Sequence, residues 1–246
     1  MALKDLIAVP HYTVKLPSDG SSIEIRPFLV KEEKILLLAK ETKDIKQVYT
    51  CIKSVLENCI VSPKNIDVNK MCYFDVEYLF LKLRSKSMGE KIEVMVTDPD
   101  TQQKFETEID LEKIYISNLD IKSKKIKLSE TLALEMKYPN FTDFVDVSST
   151  LINNNLAEAG NRVEFILNVL TVCISKVYSG TTVTDCVTLP RQEIRDFIDT
   201  LPNKEFEILS EYINHFPKIE YSGKFKNPTT GNEFPVEVRD FTNFFI

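Results

Sequence analysis

The side chains that most often carry chemistry in proteins are scarce in this sequence. The histidines are His11, which follows Pro10, and His215, which lies near the end of a predicted helix. The five cysteines are widely spaced and contain no Cys-x-x-Cys pair, so no tetrahedral zinc site is predicted. Cys51, Cys59 and Cys173 fall on apolar stripes, which predicts small buried thiols in a reducing compartment.

Acidic side chains offer the one remaining route to chemistry. Asp98 and Asp100 lie in a predicted turn, where two carboxylates could bind a cation, although turn carboxylates are usually only solvated. The chain has six glycines and none of the glycine-rich phosphate loops or nucleophile elbows. We therefore predict no catalytic, cofactor-binding or metal-binding residues and no cofactor. An enzymatic or metal-dependent module that uses the acidic turn is kept as an alternative.

Two segments share one hairpin-like pattern, [Asp/Asn]-Pro-x-Thr-x-x-x-Phe-x-x-Glu-[Ile/Val]. The first begins at Asp98 and has its phenylalanine at Phe105; the second begins at Asn227 and has Phe234. Proline and Asx residues independently favour turns, so two explanations stay open: an internal duplication, or two unrelated turns of similar composition.

Composition and charge describe an ordinary globular protein. Hydrophobic residues make up 43% and charged residues 28% of the 246 residues, enough for a core without disulfides. The net charge of -6 argues against nucleic acid as a partner. The lysines of "IKSKKIKL" (residues 121–128) are interpreted as the solvated edge of a strand, which lysine protects from aggregation. No apolar stretch is long enough for a membrane span or signal peptide, so a cytoplasmic protein is expected.

The order of predicted elements defines the fold class. Strand-like alternation around a "SDGS" turn predicts an N-terminal hairpin, and a helical period begins at Val30. Further helices, a central β region, another group of helices and a C-terminal hairpin follow. Because strands and helices are segregated along the chain, we predict an α+β fold. A division into residues 1–138 and 139–246 is predicted, with a single domain as the alternative.

The last residues, "RDFTNFFI", are unusually apolar for a chain end. Phe241, Phe244 and Phe245 are bulky side chains that an exposed tail would not normally carry. Two explanations are open: the tail folds back onto its own core, or another chain supplies the pocket. These three phenylalanines are therefore candidate partner-binding residues.

Two longer blocks resemble a known family. "IEIRPFLVKEEKILLLA" (residues 23–39), "FDVEYLFLKLRSKSMGE" (residues 74–90) and the "D-F-x-x-F-F" ending are similar to the baseplate hub assembly proteins of T4-like bacteriophages. The resemblance covers the N-terminal half and the last residues, and no motif is shared between residues 122 and 221. Some relatives carry cysteine pairs in the hairpin turns, which this sequence lacks, so a metal role is in doubt here.

The resemblance implies a late, non-enzymatic protein of contractile tail assembly, working in the host cytoplasm. It would act as a hub assembly factor or chaperone on other baseplate hub or tape-measure proteins, or stay in the virion baseplate as a structural subunit. Self-association is left open.

The charged residues of the shared motifs are further candidates for partner contacts: Arg26, Lys31, Arg84 and Lys86. Their charges are predicted to lie off the apolar stripes, facing either a partner carboxylate or an internal one. We favour Arg84, because a guanidinium can bind a carboxylate through two hydrogen bonds.

Overall fold

The computed structural model describes residues 8–42, 44–119, 124–152 and 159–238, and it confirms the α+β class. Within those ranges the helices are α1 (Val30–Glu41), α2 (Ile45–Cys59), α3 (Tyr73–Met88), α4 (Phe141–Ile152), α5 (Ala159–Cys173), α6 (Arg191–Asp199) and α7 (Asn203–Asn214). The strands are β1 (Tyr12–Lys15), β2 (Ser22–Ile25), β3 (Ile60–Ser62), β4 (Lys91–Thr97), β5 (Lys104–Asp110), β6 (Tyr115–Ser117), β7 (Lys124–Lys127), β8 (Leu132–Met136), β9 (Ile174–Ser179), β10 (Thr182–Asp185), β11 (Lys218–Lys226) and β12 (Glu233–Val238).

The chain forms two compact units. Unit 1 combines Met1–Val68, Phe74–Ser117 and Lys218–Ile246, and unit 2 combines Asn69–Tyr73 and Asn118–Pro217. The C-terminal hairpin therefore belongs to the same unit as the N-terminal half. The division into domains of residues 1–138 and 139–246 stays a prediction.

The first part of unit 1 follows local signals in the sequence. β1 pairs antiparallel with β2, and the turn between them contains Gly20 at φ +75°, a conformation that glycine adopts without steric cost. β3 pairs with β2 on its other side. Helix α2 begins after Asp44, whose carboxylate accepts a hydrogen bond from the N–H of Lys46 (2.9 Å). Helix α3 ends at Met88, and Gly89 follows it at φ +104°, which confirms the terminating position predicted for this glycine.

Two hairpins complete unit 1. β4 pairs with β5 over seven residues, and β11 pairs with β12 on one side and β6 on the other. Their inward side chains meet helix α3 in one hydrophobic core, whose buried members are Leu81, Ile92, Ile109, Leu111, Ile114, Ile219, Tyr221, Phe225 and Phe234. Burial of these alternate strand residues provides most of the driving force for assembling the hairpins.

Unit 2 is built on a four-stranded antiparallel sheet with the strand order β10-β9-β8-β7. Leu134 and Met136 of β8 are fully buried. An aromatic cluster lies alongside, in which the ring of Phe216 is 5.6 Å from Tyr138 and 5.3 Å from Tyr212, both edge to face. The cluster holds the end of α7 against the chain that follows β8.

Candidate functional site

Arg26 lies just after β2 and makes contacts within its own unit. Its guanidinium donates to Glu32 Oε1 (3.0 Å), to the carbonyl of Pro27 (2.9 Å) and to the carbonyl of Asn58 (2.8 Å). The side chain is 15% exposed and that of Glu32 is 1% exposed. The pair therefore ties the end of β2 to the first turn of α1 and the last turn of α2. Contact of Arg26 with a partner stays a prediction.

Lys31 contacts the same carboxylate. Its Nζ lies 3.2 Å from Glu32 Oε1, and the lysine side chain is well exposed. Burial alone would raise the pKa of Glu32, but hydrogen bonds from Arg26, from the backbone N–H of Leu29 and from Lys31 outweigh it and lower that pKa. Glu32 therefore stays ionised and leaves Lys31 only partly available to another chain.

Lys86, on α3, is shared between two carboxylates. Its Nζ lies 3.1 Å from Glu90 Oε1 and 3.3 Å from Glu112 Oε1, and it sits 5.8 Å from the ring centroid of Tyr12. The hydrogen bond to Glu90, followed by that to Glu112, raises the pKa of Lys86. The positive charge of Lys86 is thus largely balanced inside unit 1.

Arg84 differs from the other three basic candidates. It is half-buried on α3, and among the described residues it has no hydrogen bond or ion pair. Burial lowers the pKa of Arg84, and no carboxylate in the described part of the chain opposes that shift. A guanidinium nevertheless stays charged at neutral pH, so Arg84 is a partly desolvated cation for which the described residues supply no counter-ion.

Exposed apolar side chains occur on the helix face that carries Arg84 and on the chain that enters α1 near it. Ser87 and Met88 are three and four residues further along α3, on the same helix face as Arg84. The N–H of Phe28 donates to Ser87 Oγ (3.0 Å), which holds the chain entering α1 against this face. Leu29 is 41%, Val30 68% and Met88 59% exposed. We call Arg84, Met88, Leu29 and Val30 the Arg84 surface.

The acidic turn of the first hairpin is occupied by its own hydrogen bonds. Asp98 N–H donates to the carbonyl of Gln103 (2.9 Å), and Gln102 N–H donates to the carbonyl of Asp98 (2.9 Å). Asp98 Oδ1 accepts from the backbone N–H groups of Asp100 (2.8 Å) and Thr101 (3.2 Å). The carboxylate therefore acts as the acceptor of an Asx turn.

The second turn has the same bonds at the matching positions. Asn227 N–H donates to the carbonyl of Asn232 (2.8 Å), and Gly231 N–H donates to the carbonyl of Asn227 (2.8 Å). Asn227 Oδ1 accepts from the N–H groups of Thr229 (2.8 Å) and Thr230 (3.1 Å). The sequence pattern shared by the two hairpins thus corresponds to one turn geometry used twice.

The two turns also bind each other. The amide of Asn227 donates to Asp98 Oδ2, and both side chains are buried. The rings of Phe105 and Phe234 meet edge to face with centroids 5.7 Å apart. The hydrogen bond from Asn227, ahead of the backbone N–H groups, lowers the pKa of Asp98. Asp98 thus joins the hairpins as an ionised acceptor.

Several candidates remain to be placed. His215 caps the C-terminal end of α7 as expected, and its Nδ1 lies 2.8 Å from the carbonyl of Glu211. Across the described ranges, no group of three or more His, Cys, Asp or Glu side chains is arranged to hold a metal ion. Phe241, Phe244 and Phe245 lie outside the described residues, so their role as partner contacts stays a prediction.

The family is established by comparison with known proteins. The family described as T4 bacteriophage base plate protein matches residues 9–246, and the chain belongs to that family. Neither the search of curated proteins nor that of solved structures finds a match. Of the helices that the structure describes, none has the length and apolar character that crossing a bilayer requires.

Proposed function

We propose that this baseplate protein is a non-enzymatic assembly factor, or chaperone, for the baseplate hub, and that it acts through protein contacts in the host cytoplasm. The family match supports the baseplate role. The observation that carries the proposal is the Arg84 surface, which combines a guanidinium that has no ion pair with any described residue and several exposed apolar side chains.

The chemistry of this surface defines the contact it would make. A partner carboxylate would bind the Arg84 guanidinium through two hydrogen bonds and remove the cost of its burial. Apolar partner side chains would cover Leu29, Val30 and Met88. Arginine within an apolar patch is typical of residues that dominate binding energy at interfaces. We propose that the partner is a hub or tape-measure protein.

The mixed character of the surface favours a reversible contact. Permanent interfaces usually bury large apolar patches, whereas transient ones are about as apolar as the rest of the protein surface. The alternative is a structural hub subunit retained in the virion. Quantifying the chain in purified particles separates the two: a fixed number of copies supports the structural subunit, and absence from particles supports the assembly factor.

The variant Arg84→Met tests the contact. Because it removes an unpaired, partly buried charge, we expect the free energy of unfolding to stay within about 0.5 kcal/mol of the wild type or to rise. We expect co-purification with hub proteins from infected cells to fall about ten-fold or more. Lys64→Met, which changes an exposed lysine elsewhere in unit 1, is the matched control and should preserve both.

Two results would count against this contact. If Arg84→Met unfolds or loses several kcal/mol of stability, the guanidinium braces its own unit. If the variant is stable and hub assembly proceeds at the wild-type level, the Arg84 surface does not bind the partner.

A further inference from the structure

One edge of the sheet in unit 2 has no neighbouring strand among the residues that the structure describes. β7 pairs with β8, and no strand in the described part of the chain pairs with its other side. Leu128 N–H donates to the carbonyl of Leu132 (2.9 Å), so Leu128 faces β8, and the register places Ile126 and Lys124 as the next residues that face β8. Since every second residue of an antiparallel strand bonds to its partner, the backbone groups of Lys125 and Lys127 point away from β8. They are available to an added strand.

A groove of about 910 Å³ runs between this edge and α7. Ile126 of β7 lies at its base, and its apolar walls include Leu119 together with Ile208 and Tyr212 of α7. Ile208 is 37% and Leu119 39% exposed. The helical layer therefore does not cover the space where the inward side chains of an added strand would lie.

The outer face of the same edge is positively charged. Lys125 Nζ lies 3.6 Å from the ring centroid of Tyr178, which places Lys125 on the face opposite the groove. Lys127 follows on that face by the alternation of the strand. Among the described residues no carboxylate forms an ion pair with Lys127, and Lys125 acts on its cross-strand neighbour Glu135 without forming an ion pair with it. The nearby carboxylate of Glu135 accepts from Tyr178 OH (2.7 Å) and from Lys176 (3.3 Å).

The opposite rim of the groove carries both signs of charge. Lys204, Glu207 and Glu211 of α7 line it, and Lys124 lines the side formed by β7. Acidic side chains that cross the groove towards α7 would meet two carboxylates. An added strand is therefore suited best when its inward residues are apolar and its outward residues, beside Lys125 and Lys127, are acidic.

We propose that the edge of β7 binds an extended segment of another protein in which apolar and acidic residues alternate. The segment would extend the sheet by backbone hydrogen bonds, place its apolar side chains in the groove beside α7 and pair its acidic side chains with the lysines. This second contact lies in unit 2 and does not depend on the Arg84 surface or on the role in hub assembly.

A second copy of the chain is a poorer occupant than a different protein. β5 alternates apolar and acidic residues, with Glu106 and Glu108 on its exposed face. Its apolar side chains Phe105 and Ile109 already pack in the hydrophobic core of unit 1. That strand would have to leave its own core in order to enter the groove.

A defined peptide tests the proposal with the full chain. The probe is a fluorescein-labelled peptide of alternating valine and glutamate, and its binding is followed by fluorescence anisotropy. We expect binding that weakens with added salt, and at least about ten-fold weaker binding when lysine replaces glutamate or serine replaces valine in the probe. These comparisons use the unaltered protein.

Protein variants locate the binding. Lys127→Glu on the edge and Ile208→Glu on the groove wall should each weaken binding of the valine–glutamate peptide about ten-fold. Lys104→Glu, which alters an exposed strand lysine of unit 1, should have no effect. Far-UV circular dichroism checks that each variant is folded. If a variant does not fold, the binding of the altered peptides to the wild-type chain decides whether the edge of β7 binds as proposed.

Three outcomes would overturn the proposal. The first is a wild-type chain that does not bind the peptide, and the second is binding by both variants at the wild-type level. The third is self-association in sedimentation experiments that Lys127→Glu abolishes, which would make a second copy the occupant of the edge.

Discussion

Replacing Arg26 by methionine tests whether this residue braces unit 1 or serves a partner. Arg26→Met preserves most of the side-chain volume and removes the charge. It leaves the Glu32 carboxylate with the N–H of Leu29 (2.9 Å) and the exposed Lys31. It also removes the donor from the carbonyl of Asn58, which Arg26 contacts at 2.8 Å.

The expected cost follows from the burial of the pair. Breaking a buried ion pair by removing one partner costs about 3–5 kcal/mol, because the other charge is left uncompensated. The side chains of Glu32 and Arg26 are 1% and 15% exposed. Because Glu32 keeps two other hydrogen-bond donors, we expect the lower end of this range of unfolding free energy to apply. We expect Arg26→Met to lower the free energy of unfolding by about 3 kcal/mol.

Chemical denaturation measures this cost. With no tryptophan in the chain, urea unfolding is best followed by far-UV circular dichroism. For a slope of about 3 kcal/mol per M, the midpoint should fall by about 1 M. The double variant Arg26→Met/Glu32→Gln removes the stranded charge but keeps an acceptor for Leu29, so it should recover more than half of the loss.

The same pair has a defined pH dependence. The pKa of Glu32 is lowered in the folded chain, so its contribution is complete above the ordinary pKa of glutamate and is lost as pH falls through the folded value. The wild type should lose this increment on acidification, and Glu32→Gln should not. The role of the Arg26–Glu32 pair in stability is refuted if Arg26→Met lowers the free energy of unfolding by less than about 1 kcal/mol, or if the double variant recovers none of the loss. Normal stability together with lost hub binding would support a partner role for Arg26.

Two further predictions concern buried groups. Asn227→Asp places a second carboxylate against Asp98, so the melting temperature should fall at pH 7 and partly recover at pH 5, where the two carboxylates can share one proton. The swapped double variant Asp98→Asn/Asn227→Asp should restore the melting temperature. A double variant no more stable than the single variant would contradict the pairing. Burial raises the pKa of Cys59 to about 11 and raises the pKa of Cys173 as well, so neither thiol should react with an aromatic disulfide reagent at pH 8 until the chain unfolds. Because Cys51 and Cys72 are partly exposed, the labelled sites are located by peptide mass mapping, and immediate labelling at Cys59 or Cys173 would contradict this.

Local patterns in the sequence predicted the elements of the fold well. The alternation around Gly20, the helical period from Val30 and the stop at Gly89 all depend on neighbouring residues, and each is confirmed. The shared hairpin pattern was also visible, because Asx turns depend on a few adjacent residues. Contact between the two hairpins was not predicted, since Asp98 and Asn227 are 129 residues apart.

Differences among the basic candidates depend on tertiary structure. Arg26, Lys31, Arg84 and Lys86 look alike in sequence. Arg26 pairs with Glu32 of α1 and Lys86 with Glu112, which follows β5, whereas Lys31 contacts its neighbour Glu32 within α1. Arg84 pairs with no carboxylate of the described residues. The groove beside β7 was missed for the same reason, since α7 follows it by about eighty residues. The lysine alternation indicated a solvated strand edge but not the apolar wall next to it.

The course of the chain through unit 1 has a consequence for biosynthesis. Strand β11 pairs with β6 across an intervening segment, Asn118–Pro217, that builds the other unit. A growing polypeptide can thus complete the inserted unit while the core around Phe225 and Phe234 still waits for the last strands to leave the ribosome. Premature termination before β11 and β12 would release a product whose earlier hairpin lacks its counterpart, so only chains that extend past β12 can complete this core.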